Sequence, residues 1–110
     1  MTIKGSQQLP WSEVSHNPEI LKQVFLTNGE VKGVTQFARS IFKPGQVAPA
    51  HAHEDMTEVF LVTAGTLTVE VNGDVHTLEA GSVITLHPGD VHELRNEGGD
   101  DLHLTYFGIV

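Results

Sequence analysis

The 110-residue sequence predicts an all-β fold, a barrel or a sandwich, on three observations. Strand-like segments recur at short intervals, turn-forming pairs separate them, and no stretch carries sustained helical periodicity. The segments are 22–27, 34–42, 58–62, 66–71, 75–78, 83–86, 91–94 and 102–110, each short and enriched in β-branched and aromatic residues. Within 66–71, Leu67, Val69 and Val71 alternate with Thr66, Thr68 and Glu70, the period of a strand with one buried and one wet face. Asn72-Gly73 suits a tight hairpin needing positive φ, and Pro44-Gly45 and Pro88-Gly89 suit type II turns. Closing the strands into a barrel removes exposed edges and leaves a pocket at the mouth. At Asn17-Pro18-Glu19-Ile20 two readings stand: a short helix capped by Asn17, or an extended lead-in to the first strand.

A chain of this length can bury roughly two-thirds of its unfolded surface, which supports one domain over residues 1–110 and leaves no room for a second. Fourteen acidic residues against six Lys and Arg give a formal charge of -8, which repels a phosphate backbone and excludes nucleic acid as the expected partner. The six cations are scattered, so no basic patch addresses an anionic membrane, and no apolar run approaches spanning length. Residues 1–10 do not read as a leader, and cysteine is absent, so the expectation is a soluble protein of the cytoplasm. Without thiols, any metal must be held by imidazole and carboxylate.

Those groups occur in a pattern. In an extended segment residues i and i+2 share a face, so His51 and His53 can turn two imidazoles into one cavity. Glu58 follows on the next strand pattern, with Phe60 and Val62 expected on the same inward face, and His92 can bring a third imidazole from after the Pro88-Gly89 turn. Three nitrogens and one oxygen suit a divalent transition metal: Fe, Mn, Ni, Co, Zn or Cu.

A lone H-x-H motif is common by chance, but its surroundings here resemble the cupin family. The first cupin motif, G-x5-H-x-H-x3-4-E-x6-G, is matched by Gly45, His51, His53, Glu58 and Gly65 at every spacing. The second, G-x5-P-x-G-x2-H-x3-N, is matched by Gly81, Gly89, His92 and Asn96, with His87 standing where the family has proline. The resemblance implies a cupin-type β-barrel, the double-stranded β-helix or jelly roll. It also implies His51, His53, Glu58 and His92 as ligands of one divalent metal ion. The four motif glycines carry over as turn formers, as their freedom at positive φ already predicts.

The resemblance further implies a metal-dependent enzyme acting on a small polar oxygenated substrate, of dioxygenase, isomerase, cyclase or lyase type, with Glu58 as the catalytic base. The alternative is a non-catalytic binding or sensing module with a structural metal. Small cupins commonly pair, and Trp11 offers apolar surface, so a homodimer is expected. His16, His76 and His103 lack a spaced partner and read as surface or hydrogen-bonded residues. His87 reads as a residue tolerated at a proline position, with a proton-donating pocket group as the other reading. Arg39 reads as an outer-face cation ahead of a substrate clamp, Tyr106 as packing ahead of a pocket acid, and Met56 as a rim side chain.

Overall fold

A computed structural model describes residues 1–110. Ten strands run β1 (Trp11–Val14), β2 (Asn17–Leu26), β3 (Val34–Phe42), β4 (Val47–His51), β5 (Thr57–Ala64), β6 (Thr66–Val71), β7 (Asp74–Glu79), β8 (Val83–Leu86), β9 (His92–Arg95) and β10 (Leu102–Ile109). Apart from them there is one 3-10 turn, Ser6–Gln8, and no α-helix. The strands form a six-stranded sheet, β1-β2-β3-β10-β5-β8, and a four-stranded sheet, β4-β9-β6-β7. Every pairing is antiparallel. This is the jelly-roll, double-stranded β-helix arrangement.

The core lies between the sheets because each strand turns alternate residues inward. Ala38, Phe42, Phe60, Val62, Leu102, Leu104 and Tyr106 come from the large sheet and meet Ala48, Leu67, Val69 and Leu94 from the small one. Strand β6 departs from simple alternation. Thr68 is buried as well as Leu67 and Val69, flanked in register by Arg95 of β9 and Thr77 of β7. The predicted wet face of that strand is therefore partly covered.

The turn chemistry holds as read. Asn72 and Gly73 take φ of 50° and 90°, and Gly45, Gly65, Gly81 and Gly89 take 88°, 77°, 94° and 87°. Gly65 is doubly constrained, since a Cβ there would stand 2.5 Å from the Asp101 carbonyl oxygen. Residues 17–20 are extended, not helical. Asn17 spends its side chain on the Val47 carbonyl at 2.8 Å and on the Glu19 N–H at 3.0 Å, and β2 begins there, five residues ahead of the segment read from the sequence. Strands β1 and β4 were not among the predicted segments.

No helix is long and apolar enough to cross a membrane. The N-terminal segment lies across the outer face of β2. Gln23 donates to the carbonyls of Ser6 and Leu9 at 2.6 and 2.9 Å, Arg39 Nε donates to Gln23 Oε1 at 2.8 Å, and the Arg39 guanidinium sits 5.0 Å from the Trp11 ring centre. Arg39 is thus the outer-face cation expected.

Candidate metal centre

The four residues singled out in the sequence converge. His51 ends β4 and is the register partner of His92, which opens β9, so the two imidazoles stand side by side across the strand pair, ring centres 4.3 Å apart. His53 follows in the β4–β5 connection, which is tied down by Gly89 N–H donating to the His53 carbonyl at 2.8 Å. Glu58 is on β5, where it, Phe60 and Val62 are all buried on the inward face.

His51 reaches the interior through an irregularity. Ala48 pairs with Leu94 and His51 with His92, so three steps along β4 match two along β9. Ala48 faces the core. Strict alternation would then turn Ala50 inward and His51 outward, but the extra residue at Pro49-Ala50 reverses the parity. Proline is tolerated there because β4 is an edge strand and the position is a bulge.

One donor atom from each of the four residues lies within 4.8 Å of all the others. Two of the rings are fixed by their far nitrogens. His51 Nδ1 donates to the Pro49 carbonyl at 2.8 Å and His92 Nδ1 to the Asp90 carbonyl at 2.9 Å, because a carbonyl can only accept. Each ring therefore keeps Nε2 as a free lone pair, the tautomer a metal requires. Glu58 Oε1 stands 3.0 Å from His53 Nε2 and 3.5 Å from His92 Nε2. These are close approaches without hydrogen-bond geometry, and Glu58 Oε1 and His92 Nε2 are buried polar atoms lacking any hydrogen-bond partner. Unsatisfied buried polar atoms are costly, and a cation between them would satisfy both. Ligands at about 2.1 Å from one ion stand at most about 4.2 Å apart, so the widest separation in the cluster would close by roughly half an ångström or more. The donor set fits a divalent transition metal.

Burial holds the His51 imidazole below its ordinary pKa, only partly offset by the Pro49 carbonyl. At His92 burial pulls the same way, but the Glu58 carboxylate and the Asp90 carbonyl outweigh it and raise the pKa.

Above the cluster is a cavity of about 250 Å³. Phe42, Ala48, Phe60 and Leu94 form its apolar wall, and Ser40, Tyr106, Gln36 and Lys22 add polar groups. Tyr106 stacks on Phe60 with ring centres 4.9 Å apart, in line with the packing reading, and also faces the cavity. Burial raises its pKa far above that of free tyrosine, so the phenol keeps its proton. Met56 lines the cavity and accepts a hydrogen bond from Thr35 Oγ1 at 2.8 Å.

His16 is exposed, as read from the sequence, but it is not isolated. It sits at the β1–β2 turn, stacks on His51 with ring centres 3.8 Å apart, and lines the cavity. His87 is exposed, does not line the cavity, and uses its backbone N–H on Asp90 Oδ2 at 2.9 Å, so the proton-donating reading falls away. Asn96, the last residue of the second motif, is structural. Its Nδ2 donates to the carbonyls of Phe42 and Asp100 at 2.9 and 2.8 Å, and its Oδ1 accepts from the Gly98 N–H at 3.0 Å.

A double-stranded β-helix with a three-histidine, one-glutamate cluster beneath a small cavity defines the class. The cupin domain model matches residues 38–108, and the chain belongs to the cupin family. It is 43% identical over 63 residues to an oxidoreductase of Arthrobotrys oligospora, a match covering 56% of this chain and 24% of that protein. It is 32% identical over 66 residues to an oxalate-binding protein of Thermotoga maritima, covering 60% of this chain and 54% of the relative. In structure it resembles a predicted oxalate decarboxylase from Thermotoga maritima, with TM-score 0.89, 22% identity and 99% of each chain covered. The matched region thus spans about half or less of the two curated relatives.

Proposed function

We propose that this protein is a metal-dependent enzyme that acts on a small, polar, oxygenated substrate, with His51, His53, Glu58 and His92 as ligands of one divalent transition metal. The observation that carries the reading is the pair of buried, partnerless atoms, Glu58 Oε1 and His92 Nε2, at the centre of the cluster. When bound, such an ion supplies Lewis-acid polarisation of substrate oxygens or, if redox-active, electron transfer. Glu58 is the only carboxylate in the cavity lining and is the group to accept a proton from substrate. Tyr106 orients the substrate through its retained proton, and Phe42, Phe60 and Leu94 exclude water. The reaction is of dioxygenase, isomerase, cyclase or lyase type, and the oxidoreductase relative supports the first of these.

The second reading, capture of a small ligand without turnover, is supported by the relative that is an oxalate-binding protein. Elemental analysis of untagged protein identifies the metal, with one ion per chain expected. Turnover of a panel of small oxyacids, lost in Glu58→Gln, then separates enzyme from binder.

The outer face of the six-stranded sheet carries Leu21, Leu61, Val83 and Phe107, all exposed. That apolar face supports a homodimer paired through this sheet. A monomeric mass by light scattering at tens of micromolar, roughly where weak pairs still hold, would contradict it.

A further inference from the structure

One cation occupies a place that packing alone does not favour. On β2, Ile20 is fully buried and Val24 packs against the core, and Lys22 lies between them on the same inward-facing row. Lys22 is half-buried, its cross-strand partner Ser40 is buried, and both line the cavity. The chain has 14 acidic residues and six Lys and Arg, yet no carboxylate pairs with Lys22. Its only side-chain partner is neutral, the amide oxygen Gln36 Oε1 at 3.0 Å. Lys22 is the one Lys or Arg among the cavity residues. An ammonium turned toward a core without a counter-ion costs stability, and a lysine on this chain could have been matched by any of many acids.

We propose that Lys22, positioned by Gln36, is the receptor for a carboxylate of the substrate, and that the ligand is a small dicarboxylate. This rests on the reading that the ligand's other end meets the three-histidine, one-glutamate cluster. Charge complementarity supports it. A divalent ion offset by Glu58, together with Lys22, leaves an island of positive charge in a protein of net charge -8. Size supports it too, since about 250 Å³ is below the roughly 300–1,000 Å³ usual for ligand pockets, and admits only a few carbons between two carboxylates.

The test is calorimetric titration of metal-loaded protein with oxalate, malonate, succinate and glutarate, repeated on Lys22→Met and Gln36→Glu. Methionine keeps the apolar stem and removes the charge. Glutamate keeps the shape of Gln36 and neutralises Lys22 from within. One of the four diacids should bind best, and both variants should weaken it about ten- to a hundredfold, as loss of a charged hydrogen bond does. Metal content should not change, and Lys22→Met should melt no lower than the parent, which a merely structural lysine would not allow. Equal affinity in parent and variants, or no binding of any of the four acids, overturns the proposal. The metal reading fails on a different measurement, absence of metal from the parent, and the effect of Lys22→Met on diacid binding still decides the role of Lys22.

Discussion

At the scale of single residues, two of the four clustered side chains are held from behind. His51 and His92 each donate Nδ1–H to a backbone carbonyl two residues earlier, Pro49 and Asp90 respectively. Replacing His51 or His92 by Ala should lower metal affinity by more than tenfold, since loss of even an outer-shell partner commonly costs that much. Metal content after gel filtration checks it, and unaltered content in either variant would reject these ligands. The convergence of His51, His53, Glu58 and His92 was legible because strand parity and motif spacing are local facts. His16 was not legible. Its stacking on His51 joins a hairpin tip to a strand end 35 positions away, and no spacing rule links a turn histidine to a motif. Lys22 was likewise hidden, because one cannot tell a core-facing from a solvent-facing lysine until the start of β2 is known.

At the scale of elements, the strands read from the sequence were those with strong β-branched runs, such as 34–42, 66–71 and 83–86, which agree with β3, β6 and β8 to the residue. β4 was missed because Val-Ala-Pro-Ala-His lacks that signature and contains a residue that cannot donate to a ladder. It is a strand because its neighbour β9 and the chain around Asn96 fix it: Gly45 N–H donates to the Asn96 carbonyl at 2.8 Å, and Asn96 N–H to the Gln46 carbonyl at 3.1 Å. Asn96→Ala would strand the buried Phe42 carbonyl and should destabilise the fold by about 2 kcal/mol or more. Gly65→Ala should cost at least about 1–2 kcal/mol from the left-handed backbone alone, with the Asp101 clash in addition. Denaturant melts measure both. Near the N-terminus, Lys4 and the Thr27 N–H hold Glu30 down to about 2 from 4.5. A depressed carboxylate stabilises above its unfolded pKa, and the gain is lost as pH falls from 4.5 toward 2. Glu30 is solvent-exposed, so salt screens the effect. Glu30→Gln should flatten the acid dependence of the melting temperature over that window at low salt, and an unchanged slope would assign the dependence to other groups.

At the scale of the whole molecule, a core of 13 buried apolar residues lies between the two sheets and includes none of the four clustered residues. The metal-free protein should therefore stay folded, unlike small domains in which metal binding is the folding energy. Chelation should lower the melting temperature while leaving one cooperative transition. The loss follows mass action, about 2.7 kcal/mol at a hundredfold excess of free metal over its dissociation constant, or several degrees. Because the ligands must be neutral imidazoles, protons compete with metal, and the difference between the two melts should shrink as pH falls through about 6 to 5. A metal-free protein with no folded baseline at neutral pH would refute the self-sufficient core. Identical melts would refute the site.

The extra residue at Pro49-Ala50 has a meaning for how this site can be inherited or lost. The count of residues from Gly45 to His51 is a mechanical quantity, the setting that decides which side of a strand the histidine occupies. Substitutions between 46 and 50 leave that setting alone. Deletion of a single residue there would preserve His51, His53, Glu58 and His92 in the sequence and most of the barrel around them, yet turn the first histidine to solvent. Such a chain would look intact to any reader of residue identities. Its four-residue cluster would be broken, and only the arithmetic of its spacing would say so.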